Sequence, residues 1–388
     1  MRGRIKDPSL AAEILPTDID WWRVTLPVTL QFGEEVAGLD LAGRTVTCFQ
    51  HVLRDTAATL LPLVAAGATV RLAACNPDST DDAAAAYLAA QGMEVWAWSG
   101  MTDSEFRLGL DWAAAEPADV LSDMGGELIA AFAGAGYEVS GALEATTTGL
   151  HRLETIDLPF PVFNWNDARL KNRIHNRHHV GIEMWPMFSA VTGIGIQGRS
   201  VLVLGFGPVG RGVALHARAL GAAVSVLELE PVRALEALQH GCRIVDLERG
   251  LAEASIVVTA TGVEGVLGRS ELTLLGDGAI VCNVGHSNRE IDVEWLDENH
   301  DRTPMRRHIA RYDVNGSAIY LLNRGSLLNL APNVMPGIEE LFDPFSAMIL
   351  GGLSWLLEGG AADAVPGIHP YPAPLEDEIA RRTLAARR

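Results

Sequence analysis

Four cysteines in 388 residues (Cys48, Cys75, Cys242 and Cys282) are too few and too scattered to staple a fold. No CxxC spacing occurs, so neither a disulfide framework nor a zinc site is expected. Buried free thiols in a reducing cytoplasm are the simple expectation. The chain also lacks an unbroken apolar run of the roughly 20 residues that a membrane span requires. The longest, around 347–357, is interrupted by Gly351 and Gly352. The first residues, Met1 to Pro8, carry basic side chains with no apolar stretch behind them, so a secretory signal is not expected. Positive charge is scarce: 30 Lys and Arg stand against 49 Asp and Glu, for a net charge of −19. That balance excludes a general nucleic-acid or anionic-membrane binder, both of which need a basic footprint. It leaves room for a local pocket that takes a small anion.

What is present is the composition of a globular protein, 48% hydrophobic and 20% charged, in a chain long enough for two cores. From Arg44 onward, apolar strand-like runs at 45–50, 69–74, 94–98, 120–123 and 162–166 alternate with amphipathic stretches at 56–66, 81–90 and 104–115. A second series runs through 201–206, 223–228, 255–261, 279–284 and 319–322. Strand–helix alternation of this kind makes a parallel sheet covered on both faces. The fold class expected is therefore α/β, two doubly wound parallel-sheet domains in series. Residues 1–181 with 338–365 form the first and 182–337 the second. The stretch 183–192, apolar and helical in pattern, reads as a connector, and 366–388, prolines followed by a short charged helix, as a C-terminal tail.

The second domain opens on a specific signal. Strand 201–204 runs directly into Gly205-Phe206-Gly207-Pro208-Val209-Gly210, and a helical pattern follows. Gly205 permits the tight turn, Gly207 lets backbone approach a pyrophosphate, and Gly210 lets helix and strand pack closely. The helix N-terminus then offers N–H groups and partial positive charge to phosphates. Pro208 costs no hydrogen bond at that position. Glu228 ends the next strand, where its carboxylate accepts bonds from ribose hydroxyls. It would repel a 2′-phosphate by about 4 kcal/mol at about 4 Å in a partly solvated site. This is a Rossmann NAD-binding domain, with NAD favoured over NADP. Two later strand ends, Thr261-Gly262 and Val284-Gly285, fall at the same sheet edge and join the candidate cofactor residues, with His286 following the second.

Together with other segments, these residues resemble the S-adenosylhomocysteine hydrolase family over most of the chain. The resemblance rests on Cys75-Asn76 with Ser79-Thr80, on Asp123 to Leu128, and on Thr146-Thr147-Thr148-Gly149-Leu150-His151. It continues through Asn164-Trp165-Asn166-Asp167 with Lys171 and Asn176, Cys282 to His286 with Glu290-Ile291-Asp292, and Leu327-Leu328-Asn329-Leu330. The family's chemistry implies a redox-neutral cycle on a nucleoside: oxidation of the 3′-hydroxyl by a tightly held NAD, loss of the acidified C4′ hydrogen, elimination of the 5′ substituent, addition of water, and re-reduction. Carried over by position, Thr146, Thr147, Thr148 and Asn176 face the nicotinamide half and Asn329 its carboxamide. Lys171 stands by the oxidised hydroxyl, His51 serves as proton shuttle near the 5′ position, and His286 is the second histidine. Asp123 completes the catalytic candidates.

Departures from the family gather in the substrate pocket. The family's DDGGDL is Asp123-Met124-Gly125-Gly126-Glu127-Leu128, so a catalytic aspartate is Met124. Its EETTTG loses the second glutamate to Ala145. An aspartate four residues after the lysine is His175, a cysteine nine residues after it is Val180, and the gating GHPS has become Met335-Pro336-Gly337-Ile338. The threonine and glutamate that help hold adenine align with Leu53 and Asp55. Asp55, Met124, Ala145, Lys171, His175 and Pro336 are thus the candidate substrate pocket. His175, an imidazole able to accept a proton, joins the catalytic candidates. His175 and His179 recur four residues apart, but no third ligand is evident and no metal is expected. The family's longer tail, which reaches a neighbouring subunit's NAD, is missing.

NAD-facing residues survive while substrate-facing ones change, which implies a retained redox step on an altered substrate. The leading reading is an NAD-dependent adenosylhomocysteinase-like hydrolase or lyase acting on a nucleoside. Alternatives are a nucleoside dehydratase of specialised biosynthesis that stops after elimination, a dehydrogenase or epimerase using the oxidation alone, and a non-catalytic NAD-binding regulator. The expected partners are the nucleoside and further copies of the chain, as dimer or tetramer, with no nucleic acid and no membrane.

Overall fold

Short β-branched and apolar runs ending in glycine or polar residues give this chain sixteen strands among the described residues, which in the computed structural model are 3–285, 288–332, 334 and 338–388. The chain divides into two units, residues 1–171 with 338–388 and residues 172–337.

Unit 1 holds β1 (Arg4–Ile5), β2 (Thr45–Gln50), β3 (Thr69–Ala74), β4 (Glu94–Ala97), β5 (Val120–Asp123), β6 (Gly141–Glu144) and β7 (Pro161–Asn164). Unit 2 holds β8 (Ser200–Leu204), β9 (Ala223–Leu227), β10 (Arg243–Ile244), β11 (Ile256–Thr259), β12 (Ala279–Asn283), β13 (Thr303–Arg306), β14 (Ile309–Val314) and β15 (Ser317–Leu322). The last strand, β16 (Gly367–Pro370), returns to unit 1. The sheet of unit 1 runs β1-β4-β3-β2-β5-β6-β7-β16 and is parallel throughout. That of unit 2 runs β10-β9-β8-β11-β12-β15-β14-β13. It is parallel except for the β15-β14-β13 meander at its edge.

Strand order reverses between β2 and β5 in unit 1 and between β8 and β11 in unit 2. In open α/β sheets such reversals splay the flanking helices and leave a crevice at the carboxyl strand ends. His51 follows β2 and Met124 follows β5, while Gly205 follows β8 and Thr261 lies just beyond β11. Each unit therefore has one switch point, and the candidate residues cluster there.

The strands are apolar over their full length because helices cover both faces. In unit 1, Val46, Cys48, Leu72, Val120, Leu121, Ala142 and Val162 are all essentially inaccessible. In unit 2, Leu202, Val203, Val257, Val258 and Val281 play the same part. All three cysteines that lie in strands or after a helix, Cys48, Cys242 and Cys282, are buried free thiols. No helix among the described residues is long and apolar enough to cross a membrane.

Two expectations are corrected. Segment 366–388 is a folded part of unit 1: β16 pairs with β7 from Gly367↔Pro161 to Pro370↔Asn164, and the helix Ala373–Ala386 buries Ile379 and Glu376. Its prolines look like a linker, yet Pro370 ends an edge strand, where a missing N–H costs nothing. Residues 172–181, expected in the first domain, lie in unit 2, whereas the stretch 183–192 is helical as its pattern implies. It belongs to the helix Val180–Thr192 of unit 2, whose Met184, Trp185 and Phe188 are buried. Gly181 of that helix lies so close to Gly212 that a Cβ would come within 2.5 Å of its carbonyl, and Trp185 Nε1 donates to Val213 O at 3.0 Å.

Candidate active site

In unit 1 the chemistry starts at the end of β2. His51 Nδ1 lies 2.6 Å from Ser79 Oγ, and that hydroxyl donates its proton to Asn76 O at 3.0 Å. This contact commits Nδ1 to Ser79 and fixes the orientation of the imidazole ring. Asp55 follows at the first turn of the helix Asp55–Ala65. Burial pushes its carboxyl up to about 6; Ser346 Oγ, donating at 3.1 Å, partly offsets this, and nearby Glu339 adds to it.

At the ends of β5 and β6 the chain places two carboxyls that carry structure. Asp123 Oδ2 accepts the Ile129 N–H at 2.9 Å and the residue is fully buried. Glu144 Oε1 accepts from Thr146 N and Thr146 Oγ1, each at 2.7 Å, and from Gly125 N at 3.2 Å. It thereby ties together the Asp123–Gly126 loop and the threonine run. Arg152 adds a bond to Gly125 O and an ion pair with Glu127. Gly149 has to be glycine, since a Cβ would sit 2.3 Å from Glu144 Oε1. Between these fixed groups lie Met124, 8% exposed, and Ala145, 3% exposed, both apolar.

Thr146 caps the helix Thr147–Leu153 through Gly149 N at 2.8 Å, and Thr147 Oγ1 accepts from Asn166 Nδ2 at 3.2 Å. Thr148 follows on the same turn. Lys171 closes the unit: its Nζ is 4.3 Å from the Phe345 ring centroid and 6.0 Å from that of Trp165. Among the described residues it has no ion pair, and burial lowers its ammonium to about 7. The rings supply cation–π attraction, but burial against apolar faces still favours the neutral amine.

Lys171 lies on a π-helix, Leu170–His179, that runs on into unit 2. The π-helix was not legible in the sequence, which reads as an ordinary helix; such segments gather at functional sites. Within unit 2 it carries His175 and His179, both buried, with rings edge-to-face at 5.9 Å, and a half-buried Asn176. Among the described residues no group of three His, Cys, Asp or Glu is arranged to hold a metal.

The cofactor loop of unit 2 has the geometry its glycines demand. Gly205 is left-handed at φ +91°, and a Cβ on Gly210 would come within 2.1 Å of Gly205 O. Gly207 caps the helix Pro208–Ala219, so the first-turn N–H groups of Val209 and Gly210 have no carbonyl one turn back. Glu228 accepts Phe206 N at 2.7 Å and Glu230 N at 2.9 Å. These two bonds lock its carboxylate at the end of β9, with two of its roughly four acceptor positions to spare.

Glu290 organises the next loop. It accepts Thr261 N at 3.0 Å, Thr261 Oγ1 at 2.8 Å and Gly262 N at 2.7 Å. The donor groups of Thr261 and Gly262 are thus committed to Glu290. Val284 N bonds Thr259 O at 3.0 Å and Gly285 N bonds Asn283 Oδ1 at 2.8 Å, so those N–H groups are committed as well. Asn329 is buried, with its Oδ1 unpartnered among the described residues. An orphaned buried acceptor, a glycine-lined turn and an open helix N-terminus fit a dinucleotide ending in a carboxamide. His286 and Pro336 lie outside the described residues.

Sequence reasoning passed over Glu144, Glu290 and Glu183 as site-builders. Each is a buried carboxylate beside a named candidate, and the signal for the first two was their place at a strand end or beside a motif glycine.

Comparison with known proteins identifies the family. Residues 187–334 match the family described as S-adenosyl-L-homocysteine hydrolase, NAD binding domain, and residues 27–135 match S-adenosyl-L-homocysteine hydrolase. The chain is 35% identical to S-inosyl-L-homocysteine hydrolase of Methanopyrus kandleri over 98% of its own length and 92% of that protein. It is 36% identical to adenosylhomocysteinase of Aeropyrum pernix over 84% and 81% of the two chains. With S-inosyl-L-homocysteine hydrolase of Methanothermobacter thermautotrophicus it shares 33% over 100% and 94%. A near full-length match on top of an NAD cradle and an intact Lys171 leaves one assignment: the chain is an NAD-dependent enzyme that belongs to the S-adenosyl-L-homocysteine hydrolase family.

Proposed function

We propose that this enzyme cleaves the 5′-thioether of a purine nucleoside by transient oxidation of the sugar, the purine being that of S-adenosyl- or S-inosylhomocysteine. The relatives named for both bases support this range. The observation that carries the reading is Lys171, an amine set against Phe345 and Trp165 with no ion pair among the described residues and lowered to about 7 by desolvation.

NAD, when bound, supplies a reversible two-electron oxidation of a sugar hydroxyl. Within unit 2, Gly205, Gly207, Val209, Gly210 and Glu228 would hold its adenosine and phosphate half, and Asn176 and Asn329 its nicotinamide half. Lys171 Nζ takes the hydroxyl proton, which only a neutral amine can do. His51, oriented by the contact of Nδ1 with Ser79, would in its protonated form give the Nε2 proton to the departing 5′ sulfur. Asp55 reads an N–H on the base edge. Met124 and Ala145 line the sugar with apolar surface and exclude water from it.

Those same two residues favour a second reading. Adding water after elimination needs a proton shuttle, and apolar side chains stand where the family carries carboxylates. The alternative is a lyase that releases the 4′,5′-unsaturated product. We further infer a homo-oligomer working in the cytoplasm, testable by light scattering on purified protein and by cell fractionation. For the reaction, the test is incubation with both thioethers in isotopically labelled water, following reduced-nicotinamide absorbance and product mass. Label in the nucleoside supports hydrolysis, unlabelled unsaturated product supports the lyase, and no reduction with either thioether rejects both.

A further inference from the structure

Asn329 sits on the single turn Leu328–Leu330 beyond β15, in a segment whose backbone is pinned from several sides. Asn323 Nδ2 donates to Leu327 O at 2.9 Å, Asn283 Nδ2 to Gly325 O at 3.0 Å, and His308 Nε2 lies 2.8 Å from Pro332 O. With the backbone held, the remaining freedom of Asn329 is which end of its amide points where. That choice decides whether it offers a ligand a donor or an acceptor.

Glu183 makes the choice. It lies one turn into the helix Val180–Thr192, is 2% exposed, and its Oε2 receives Asn329 Nδ2 at 3.4 Å. A carboxylate only accepts, so the amide nitrogen must face it; the flipped amide would set oxygen against oxygen. Asn329 Oδ1 is thereby turned away, and it is the atom left without a partner among the described residues. A buried acceptor in that state costs free energy until a donor reaches it.

We propose that Glu183 is a positioning residue for the cofactor: by holding the Asn329 nitrogen, it turns the Asn329 oxygen into an obligatory acceptor for the N–H of the nicotinamide carboxamide. The pair thus sets the rotation of the carboxamide about its bond to the ring. Glu183 itself touches no reacting atom. The inference rests on NAD being the cofactor and on Asn329 facing its nicotinamide end.

Dinucleotides that differ only at the carboxamide test it. NAD carries the N–H donor, the 3-acetylpyridine analogue carries no N–H, and the nicotinic acid analogue carries a carboxylate. Binding to cofactor-stripped enzyme is read by calorimetry or protein fluorescence, without turnover. The parent enzyme is expected to prefer NAD over the acetyl analogue by tenfold or more, on the order of one unsatisfied buried acceptor, and to reject the acid analogue further. In Glu183→Gln the partner can donate as well as accept, Asn329 can flip, and the preference should fall to about twofold or less. Parent enzyme binding all three equally overturns the proposal even where Glu183→Gln does not fold. A folded Glu183→Gln with undiminished preference overturns it too. Failure to bind NAD at all instead removes the cofactor reading beneath it.

Discussion

Asp123 and Glu144 stand directly beside each other at the carboxyl ends of β5 and β6, in register and wholly buried. Two carboxyls in one dry place cannot both be ionised cheaply. Burial and the neighbouring Glu144 and Glu127 push Asp123 well above the usual carboxylate range, and burial pushes Glu144 up to about 7 despite its bonds to Thr146 and Gly125.

Stability should follow that shift. Glu144 has a higher pKa folded than unfolded, so its stabilising contribution is complete below about 4.5 and is lost as pH rises through about 7. The melting temperature should therefore decline between pH 5 and 8 in the parent. Glu144→Gln, neutral throughout and still able to accept from Thr146, should flatten that decline. Equal slopes in scanning calorimetry would remove Glu144 as its source.

Lys171 should write its own signature on catalysis. Its amine becomes neutral as pH rises through about 7, so kcat/KM should rise over the same interval and then level. Lys171→Ala should lose on the order of 10²- to 10⁴-fold, and Lys171→Arg, permanently charged, should do little better. In stability the sign is opposite to that of Glu144. A depressed lysine contributes fully above its unfolded value near 10.5 and loses that contribution as pH falls through about 7. A pH–rate profile of Lys171→Arg that matches the parent would end the assignment of a base.

Glu290, itself buried, gathers three donors from the half-buried Thr261 and the exposed Gly262, and stripping it leaves them to water. Glu290→Ala should cost about 1–2 kcal/mol of stability and weaken NAD binding, since a hydrogen bond to a charged group nets about 1.5–3 kcal/mol and water restores part of it. Gly285→Ala should do comparable harm, because its Cβ would collide with Glu290 Oε1. Denaturant titration and cofactor calorimetry read both; normal values for the pair would show that this loop is not what holds the cofactor end of unit 2.

Met124→Asp with Ala145→Glu would put carboxyls back beside Asp123 and Glu144. The cost should be lower stability, by about 1–3 kcal/mol per buried carboxyl. The gain, read as the ratio of hydrated to unsaturated nucleoside by mass spectrometry, should be a shift toward hydration. An unchanged ratio would show that these two positions do not control the water step.

Much of unit 2 was legible because its signals are local. The strand into Gly205, the glycine spacing and Glu228 lie within one strand–turn–helix–strand stretch, and a positive φ or a close helix approach narrows the residue to glycine at its own position. The carboxylate braces were harder to read. Glu144 takes two bonds from Thr146 close by, but its bond from Gly125 spans 19 positions and the donors to Glu290 lie 28 and 29 positions away, so only the fold brings those partners together.

By itself, then, the sequence determined the alternation of strands and helices, the dinucleotide turn and the family, since each depends on the order of side chains along a short stretch. Tertiary structure decided that β16 closes the sheet of unit 1 against β7, because pairing 206 residues apart, Gly367 with Pro161, leaves no periodic trace and prolines at a sheet edge look like a linker. It decided that Leu170–His179 winds as a π-helix. It also decided which oxygen Asn329 shows to a ligand, since that is settled by a glutamate 146 positions away in the chain that can only accept.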